Sequence, residues 1–525
     1  MGIYSSQSEV SAHRMRVVEA VLVLLVLYRF GLIIYRLYFH PLSKVPGPKL
    51  LAVSRLPHGI QNNLRGKFVR SATELHNKYG PVVRIAPDFI SVEGSIGWSE
   101  IYARHPSKEE FGKIWQNYGP TPTPSLLPAD RDVHRRQRRV LGHAFSTAAL
   151  TSQECYIMEN ANKLFGTLKQ FAEENKAVDA PLWYNNFTFD VIGDLAFGEP
   201  FGCLDCKDSV HPLIANIFPN FRADARFAFY STIPILGRIM ARIYRKDAQT
   251  REEMGRVMGL KTEERMSLGT ELRTDFITYI MRGNKDGTGM SHEEILHNIR
   301  TLLLAGTETT ATALSGFTYH ISYDKHTRTA LTEEIRRAYS SESAIDIQST
   351  SSLPYLNACI EETLRIFPPV PEIPNRRSTG DFVGGYYVPR GVSLPSQPQC
   401  LAARTDSSSQ TMVGVNQWAT THLASNFADP MKFAPERWLP VTHPLYNVRY
   451  SSDNRAVSKP FSAGPRDCIG KNLAKVEMRL IIARLFWNFD LEPVEGQEDW
   501  ISSQQVFGVV DKGPFMVKLS RRQEI

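Results

Sequence analysis

Cysteine is scarce in this chain: six in 525 residues, at 155, 203, 206, 359, 400 and 468, without regular spacing. That excludes a disulfide framework and favours a reducing compartment. Internal repeats are missing, and no linker is long enough to separate independent domains. No G-x-G-x-x-G opens a helix after a strand, so there is no nicotinamide or flavin fingerprint. Charge of one sign is only mildly in excess, 61 Lys and Arg against 54 Asp and Glu for a net +7. This is too diffuse to imply nucleic acid, and it fits a face that meets an anionic membrane or an acidic protein. What is present is ordinary for a globular protein, with 42% apolar and 22% charged residues. Disordered, collagenous and coiled-coil classes are therefore excluded, and a large core is available.

Residues 17–35 read VVEAVLVLLVLYRFGLIIY, nineteen residues with only Glu19 and Arg29 charged, about the length that crosses a bilayer. Aromatic and basic residues follow over 35–40, as at a membrane interface, where a cleaved signal peptide would carry small residues. An uncleaved anchor over residues 1–40 is expected. Because Arg29 costs about 2.5–3.5 kcal/mol at the bilayer centre, the helix is spanning, tilted or interfacial. Pro41, Pro46, Gly47 and Pro48 then forbid helix and make a stiff hinge.

From 41 to 525 a single, mainly α domain is expected. Helical periods run over 130–145, 182–197, 275–282, 292–321, 327–339, 354–367 and 473–487. Extended runs at 82–85, 386–389 and 515–519 leave room only for small sheets. Residues 393–412, SLPSQPQCLAARTDSSSQTM, have no period and read as a disordered insert holding an inert Cys400. Cys203-x-x-Cys206 is half of a zinc spacing without a second Cys/His pair, which argues against a metal there.

The informative cysteine is Cys468, in FSAGPRDCIG (461–470), on a glycine-flanked loop ahead of a helical run. Backbone N–H groups and the helix dipole at such a place favour thiolate, the form that ligates metal. Gly464 and Gly470 permit tight turns and the close approach of a flat ligand, and Arg466 can pair with a carboxylate of that ligand. A lone cysteine is ordinarily a small buried hydrophobe. Here, however, Phe461-x-x-Gly464-x-Arg466-x-Cys468-x-Gly470 resembles the haem-binding signature of the cytochrome P450 family. Ala305-Gly306-Thr307-Glu308-Thr309-Thr310, Glu362-x-x-Arg365 and Pro435-Glu436-Arg437-Trp438 resemble further signatures in the family's order. The amino-terminal YRLYFHPLSKVPGPK is similar to the anchor and hinge of fungal microsomal members. PLWYNNFTFDVIGDLAFGEPFGCL resembles isotrichodermin C-15 hydroxylases of secondary metabolism, so the resemblance covers essentially the whole chain.

The resemblance implies the P450 fold, a helical haem domain with small β-sheets, holding haem b through the Cys468 thiolate. It makes Glu308 the acid that feeds protons through water and Thr309 the hydroxyl beside dioxygen. Cations for the haem carboxylates would be His134, Arg138, Arg376 and Arg466, although Asn375 replaces the family's proline before Arg376. Glu362, Arg365 and Arg437 would form a buried charge network for folding and haem retention, since one unpaired charge there costs about 3–5 kcal/mol. Arg135, Arg136 and Arg139 would be solvated or would dock an acidic reductase. Apolar substrate walls are expected from 102–127, 218–235, 302–309, 370–373 and 507–510. The implied enzyme is a monooxygenase of the endoplasmic reticulum membrane with its catalytic domain in the cytoplasm. It would hydroxylate or epoxidise an apolar fungal metabolite, a terpenoid or polyketide, using O2. Electrons would come from NADPH–cytochrome P450 reductase, with cytochrome b5 as a second donor, and nucleic acid is no partner. Rival readings are a haem-thiolate isomerase or dehydratase without O2, and an inactive product of a mis-spliced gene in which 393–412 interrupts a continuous run.

Overall fold

The computed structural model describes residues 2–114, 123–206, 210–215, 217–284, 289–390 and 411–522. Cys400 and most of the segment read as an insert lie outside the described residues. The N-terminal apolar stretch forms α1 (Gly2–Ile34), continued by a π-helical turn over Tyr35–Phe39. His13–Phe39 is long and apolar enough to cross a membrane, and its most apolar window is 0% buried, which fits an anchor. The helix ends at His40 ahead of Pro41, whose ring cannot continue it.

The expected anchor boundary at residue 40 falls inside a segment already bound to the body of the protein. Arg84, in β1 (Val82–Ala86), is 2% exposed and donates to Arg36 O at 2.8 Å and Leu42 O at 3.4 Å.

Twelve more helices of eight or more residues follow among the described residues. They are α2 (Phe68–Tyr79), α3 (Arg131–Gly142), α4 (Glu154–Glu173), α5 (Ala180–Phe197), α6 (Ile217–Tyr230), α7 (Pro234–Ile243), α8 (Arg245–Ser267), α9 (Phe276–Gly283), α10 (His292–Tyr323), α11 (Lys325–Ala338), α12 (Pro354–Ile366) and α13 (Lys471–Asn488). Mainly helical, with small sheets, is therefore what the chain forms. The central element is α10, started by a capping box in which Ser291 and Glu294 satisfy each other's backbone N–H. Alongside it runs α5, buried along nearly its whole length, polar Asn185, Asn186, Thr188, Asp190 and Asp194 included. A Cβ on Gly306 would meet Ile192 Cδ1 at 2.8 Å, so this mid-helix glycine marks the close approach of α5 to an unbroken α10.

The strands are short. A five-stranded sheet runs in the order β1, β2 (Phe89–Val92), β8 (Met412–Val415), β5 (Arg376–Arg377), β3 (Gly112–Lys113). A second joins β4 (Val178–Asp179), β12 (Met516–Arg521) and β9 (Phe489–Pro493), and two hairpins pair β6 (Asp381–Val383) with β7 (Tyr386–Val388) and β10 (Gln505–Phe507) with β11 (Val509–Asp511). One expectation about the insert is corrected: Met412 opens β8, parallel to β2, because backbone pairing with Phe89 captures it whatever its neighbours' composition. On either side of 391–410, β7 lies in its own hairpin and β8 in the large sheet.

Candidate active site

The Cys468 loop is closed by the Cys468 N–H donating to Phe461 O at 2.8 Å. Gly464 has φ +77°, and a Cβ there would lie 2.0 Å from Tyr102 O, so no other residue fits. Gly470 instead has an ordinary φ of −83° and no heavy atom within 4 Å of a built Cβ, leaving that side of the loop open. Phe461 is partly buried against the main core. Cys468 is exposed, yet desolvation by the atoms packed about its sulfur pushes its thiol up. The Gly470 N–H, Arg138 and Lys471 pull the other way and lose. The loop N–H and the nearby cations thus favour the thiolate, as expected, but do not outweigh burial on their own.

Basic residues converge on the loop. Arg138 of α3 donates to Asp467 O and, at 2.7 Å, to Asp467 Oδ1. Arg466 donates to Ala129 O at 2.7 Å and pairs with Glu110. His134, 6% exposed, has its pKa lowered to about 3 by burial and by Arg466, Arg138, Lys113 and Arg376. Arg376 is buried in β5 over the Tyr102 ring at 5.0 Å, and Lys113 of β3 lies opposite it in register. Burial, Arg376 and Arg466 hold the Lys113 pKa down to about 6, against the opposing pull of Glu110. Lys113 was not legible, because a lysine beside a two-residue strand looks like any solvated one. Three arginines outnumber Asp467 and Glu110, and with His134 and Lys113 held neutral by the same cations, a ligand with two carboxylates would relieve this positive excess and let them take up protons.

In the middle of the otherwise buried α10, Leu304 is 37% exposed, Ala305 is exposed and Thr309 is half-buried. Thr309 Oγ1 donates to Ala305 O at 2.8 Å. Glu308 is turned away from this open face, 1% exposed, and accepts from Lys512 Nζ at 2.8 Å. Thr309 is thereby brought to the open face and Glu308 is not. Beside Thr310 lies Glu477 of α13, fully buried, its carboxyl pushed up to about 8 by burial. Neither of its carboxylate oxygens has a hydrogen-bond partner among the described residues. Neither Lys512 nor Glu477 had a sequence signal.

Glu362 is the hub of the charge network. It accepts from Arg365 Nε and Nη2, both at 2.8 Å, from Arg437 Nε at 3.1 Å and from Trp438 Nε1 at 2.9 Å. Asp453 neutralises the other end of Arg437, and these two arginines and both carboxylates are 0% exposed on their side chains. Arg136 departs from the docking expectation: it forks onto Glu294 at 2.8 and 2.6 Å, recruited by the cap of α10, while Arg135 and Arg139 remain exposed. Of the expected walls, Ile373 and Val510 are spent in packed cores, and 115–122 lies outside the described residues. Cys203 is buried, its N–H donating to Asp190 at 2.9 Å, and no group of three metal-ligating side chains occurs among the described residues.

A thiol on an open loop, an uncovered run of small residues on the central helix and a basic cluster fit a flat, dicarboxylate haem. A family model for cytochrome P450 matches residues 46–398 and 408–519, and the chain belongs to that family, whose cofactor is a haem-thiolate. It is 36% identical over 507 residues to cytochrome P450 monooxygenase lcsI of Purpureocillium lilacinum, covering 94% of this chain and 92% of that protein. It is 37% identical over 502 residues to cytochrome P450 monooxygenase aclL of Aspergillus oryzae, covering 94% and 96%. To the averantin hydroxylase of Dothistroma septosporum it is 36% identical over 512 residues, covering 95% and 90%. The protein is a cytochrome P450 monooxygenase similar to enzymes of fungal secondary metabolism.

Proposed function

We propose that this enzyme hydroxylates an apolar fungal secondary metabolite of terpenoid or polyketide type, and that the Cys468 thiolate would hold the iron of haem b. The observation that carries the site assignment is the convergence of Lys113, His134, Arg138, Arg376 and Arg466 about the Cys468 loop. The haem, when bound, supplies dioxygen activation. The five basic residues would hold its carboxylates, and the Glu362 network would hold the loop that presents Cys468.

Leu304 and Ala305 shape an apolar wall that limits water, and Thr309 offers a hydroxyl whose proton now rests on Ala305 O and can turn to the open face. Glu308 is the proton donor once it leaves Lys512. Retention of this acid and alcohol speaks against an isomerase or dehydratase that uses no dioxygen. The averantin hydroxylase among the relatives favours hydroxylation over epoxidation.

Electrons come from NADPH–cytochrome P450 reductase, assisted by cytochrome b5, docking near the exposed Arg135 and Arg139. The α1 helix anchors the chain in the endoplasmic reticulum membrane with the catalytic domain cytoplasmic. Residues 393–410 are an insert, a reading supported by the gap at 399–407 in the family match.

The test is Cys468→Ser. The reduced carbon monoxide complex should lose its thiolate-type absorption, while Cys203→Ser keeps it. A normal thiolate spectrum in Cys468→Ser would sink the assignment.

A further inference from the structure

The segment between α12 and β5 carries a carboxyl in what was expected to be an apolar wall. Pro369 O accepts from the Val510 N–H at 3.4 Å, in the β10–β11 hairpin whose end reaches α10 through Lys512 and Glu308. On its other side the Ile373 N–H donates to Val415 O at 3.1 Å, and Glu372 bridges Asn416. Arg376 pairs with Val413, so four steps along this segment match three along β8, and one extra residue is absorbed as a bulge. The bulge resets the alternation of side chains. Ile373 joins Val413 and Val415 in the core, while Glu372 and Asn375 share the other face with Gly414. A Cβ on Gly414 would lie 1.9 Å from Asn375 Oδ1, so this glycine makes room for the amide, whose Nδ2 donates to Glu372 Oε1 at 3.3 Å.

Glu372 is half-buried, and no cation offsets its charge among the described residues. Burial pushes its carboxyl up to about 7, opposed only by the Asn375 amide. Cations on the elements packed around it are engaged elsewhere: Arg376 over the Tyr102 ring, Arg70 of α2 over the Trp418 ring, and Lys512 on Glu308. A carboxyl in bulk water keeps its ordinary value, so the accessible surface of Glu372 looks into an enclosed space. With one of its roughly four lone-pair sites used, it is an open acceptor there.

We propose that Glu372, aimed by Asn375, is a specificity-determining residue that binds a protonated amine of the substrate. This deepens the hydroxylation reading and rests on it, making the substrate an apolar skeleton with one basic nitrogen. A cation beside a desolvated carboxyl favours its ionised form, so the amine competes with a proton. Affinity is then full above pH 7 and falls about tenfold per pH unit below it.

The test is equilibrium dialysis of the full-length, haem-loaded protein between about pH 5.5 and 8.5, with N,N-dimethyldodecylamine and dodecan-1-ol as probes below micelle-forming concentration. An alkylammonium, with a pKa of about 10, stays charged over this range. At about pH 8 the amine should bind wild type about tenfold tighter than Glu372→Gln, the scale of a hydrogen bond to a charged group, and this advantage should vanish by about pH 5.5. The alcohol should bind both alike at every pH. Asn375→Ala should weaken amine binding severalfold and move the pH step upward, because the amide that opposes burial is gone. The wild-type pH profile stands even if a variant loses haem. A flat wild-type profile, or equal loss of amine and alcohol in Glu372→Gln, would refute amine recognition and leave the hydroxylation reading standing. If neither probe binds, the apolar-substrate reading falls and this inference falls with it.

Discussion

Arg365→Lys keeps the charge of the buried network and removes its fork. All five guanidinium donors of Arg365 are used: two on Glu362, both at 2.8 Å, and three on the carbonyls of Thr421 at 3.0 Å, Pro430 at 2.8 Å and Lys432 at 3.1 Å. Lysine offers three donors from one nitrogen on a different stem, so at least two acceptors are stranded. Each buried acceptor left unpaired costs about 1–3 kcal/mol, giving roughly 2–6 kcal/mol in total. Despite burial, Arg365 and Arg437 hold the Glu362 carboxyl below its ordinary value, so the acid stays charged and cannot escape by taking a proton. Against a total stability of about 5–15 kcal/mol, this is a large share. Haem-loaded Arg365→Lys should unfold roughly 2–6 °C below wild type by Soret absorbance and circular dichroism, since the unfolding entropy of a chain this long is about 1 kcal/mol per degree. Arg365→Met, which removes the charge and all five donors, should yield little haem-loaded protein. A shift under about 1 °C in Arg365→Lys would show that the fork is not what holds the loops at 421–432, and would refute the reasoning.

Thr309→Ala should keep haem and NADPH consumption but divert electrons into peroxide, lowering product per NADPH; unchanged coupling would mean that another group manages the protons. Charge reversal at the exposed Arg135 and Arg139 should weaken reductase-driven turnover in a salt-dependent way and spare turnover driven by hydrogen peroxide, whereas equal losses would indicate a folding defect. The forked bond from Arg136 holds the Glu294 pKa at about 2, below its ordinary 4.5, so this stabilisation is full above pH 4.5 and lost as pH falls toward 2. The Tm difference between wild type and Glu294→Gln should therefore shrink below pH 4.5, and a constant difference down to that acid range would refute it. Deleting 393–410, with Met412 kept for β8, should leave haem incorporation intact or improved, and loss of haem would make the segment an integral element.

Several long helices were legible because they repeat an apolar face over several turns, as in 292–321 and 473–487, within three residues of the observed ends, whereas α4 and the charge-rich α8 were not named. Strands β3 and β5, two residues each, have no period to read, since tertiary pairing alone makes them strands. At the site, the Cys468 loop and the Glu362–Arg365–Arg437 trio could be named because spacing along the chain carries them. Trp438 joined that trio only when the PERW turn was folded against α12, and Asp453 had no motif. Lys113 and Lys512 resemble solvated lysines until strand ends are packed against other elements. Arg136 is the reverse case: chemically it matches Arg135 and Arg139, and only the arrival of the α10 cap takes it out of solvent.

Arg84 ties the segment after α1 to the first strand, with further bonds to Pro87 O at 2.6 and 3.1 Å. A flexible tether would let the domain sample every tilt over a bilayer, diluting each orientation. A tether stapled in this way concentrates one of them, and the effective local concentration of a tethered surface is highest when tether geometry matches the span and falls toward zero when it does not. For a chain anchored by α1, encounter with a membrane-bound electron donor then becomes a two-dimensional search in which the facing surfaces are set in advance. A weak intrinsic affinity between them suffices, and the complex can part between electron deliveries.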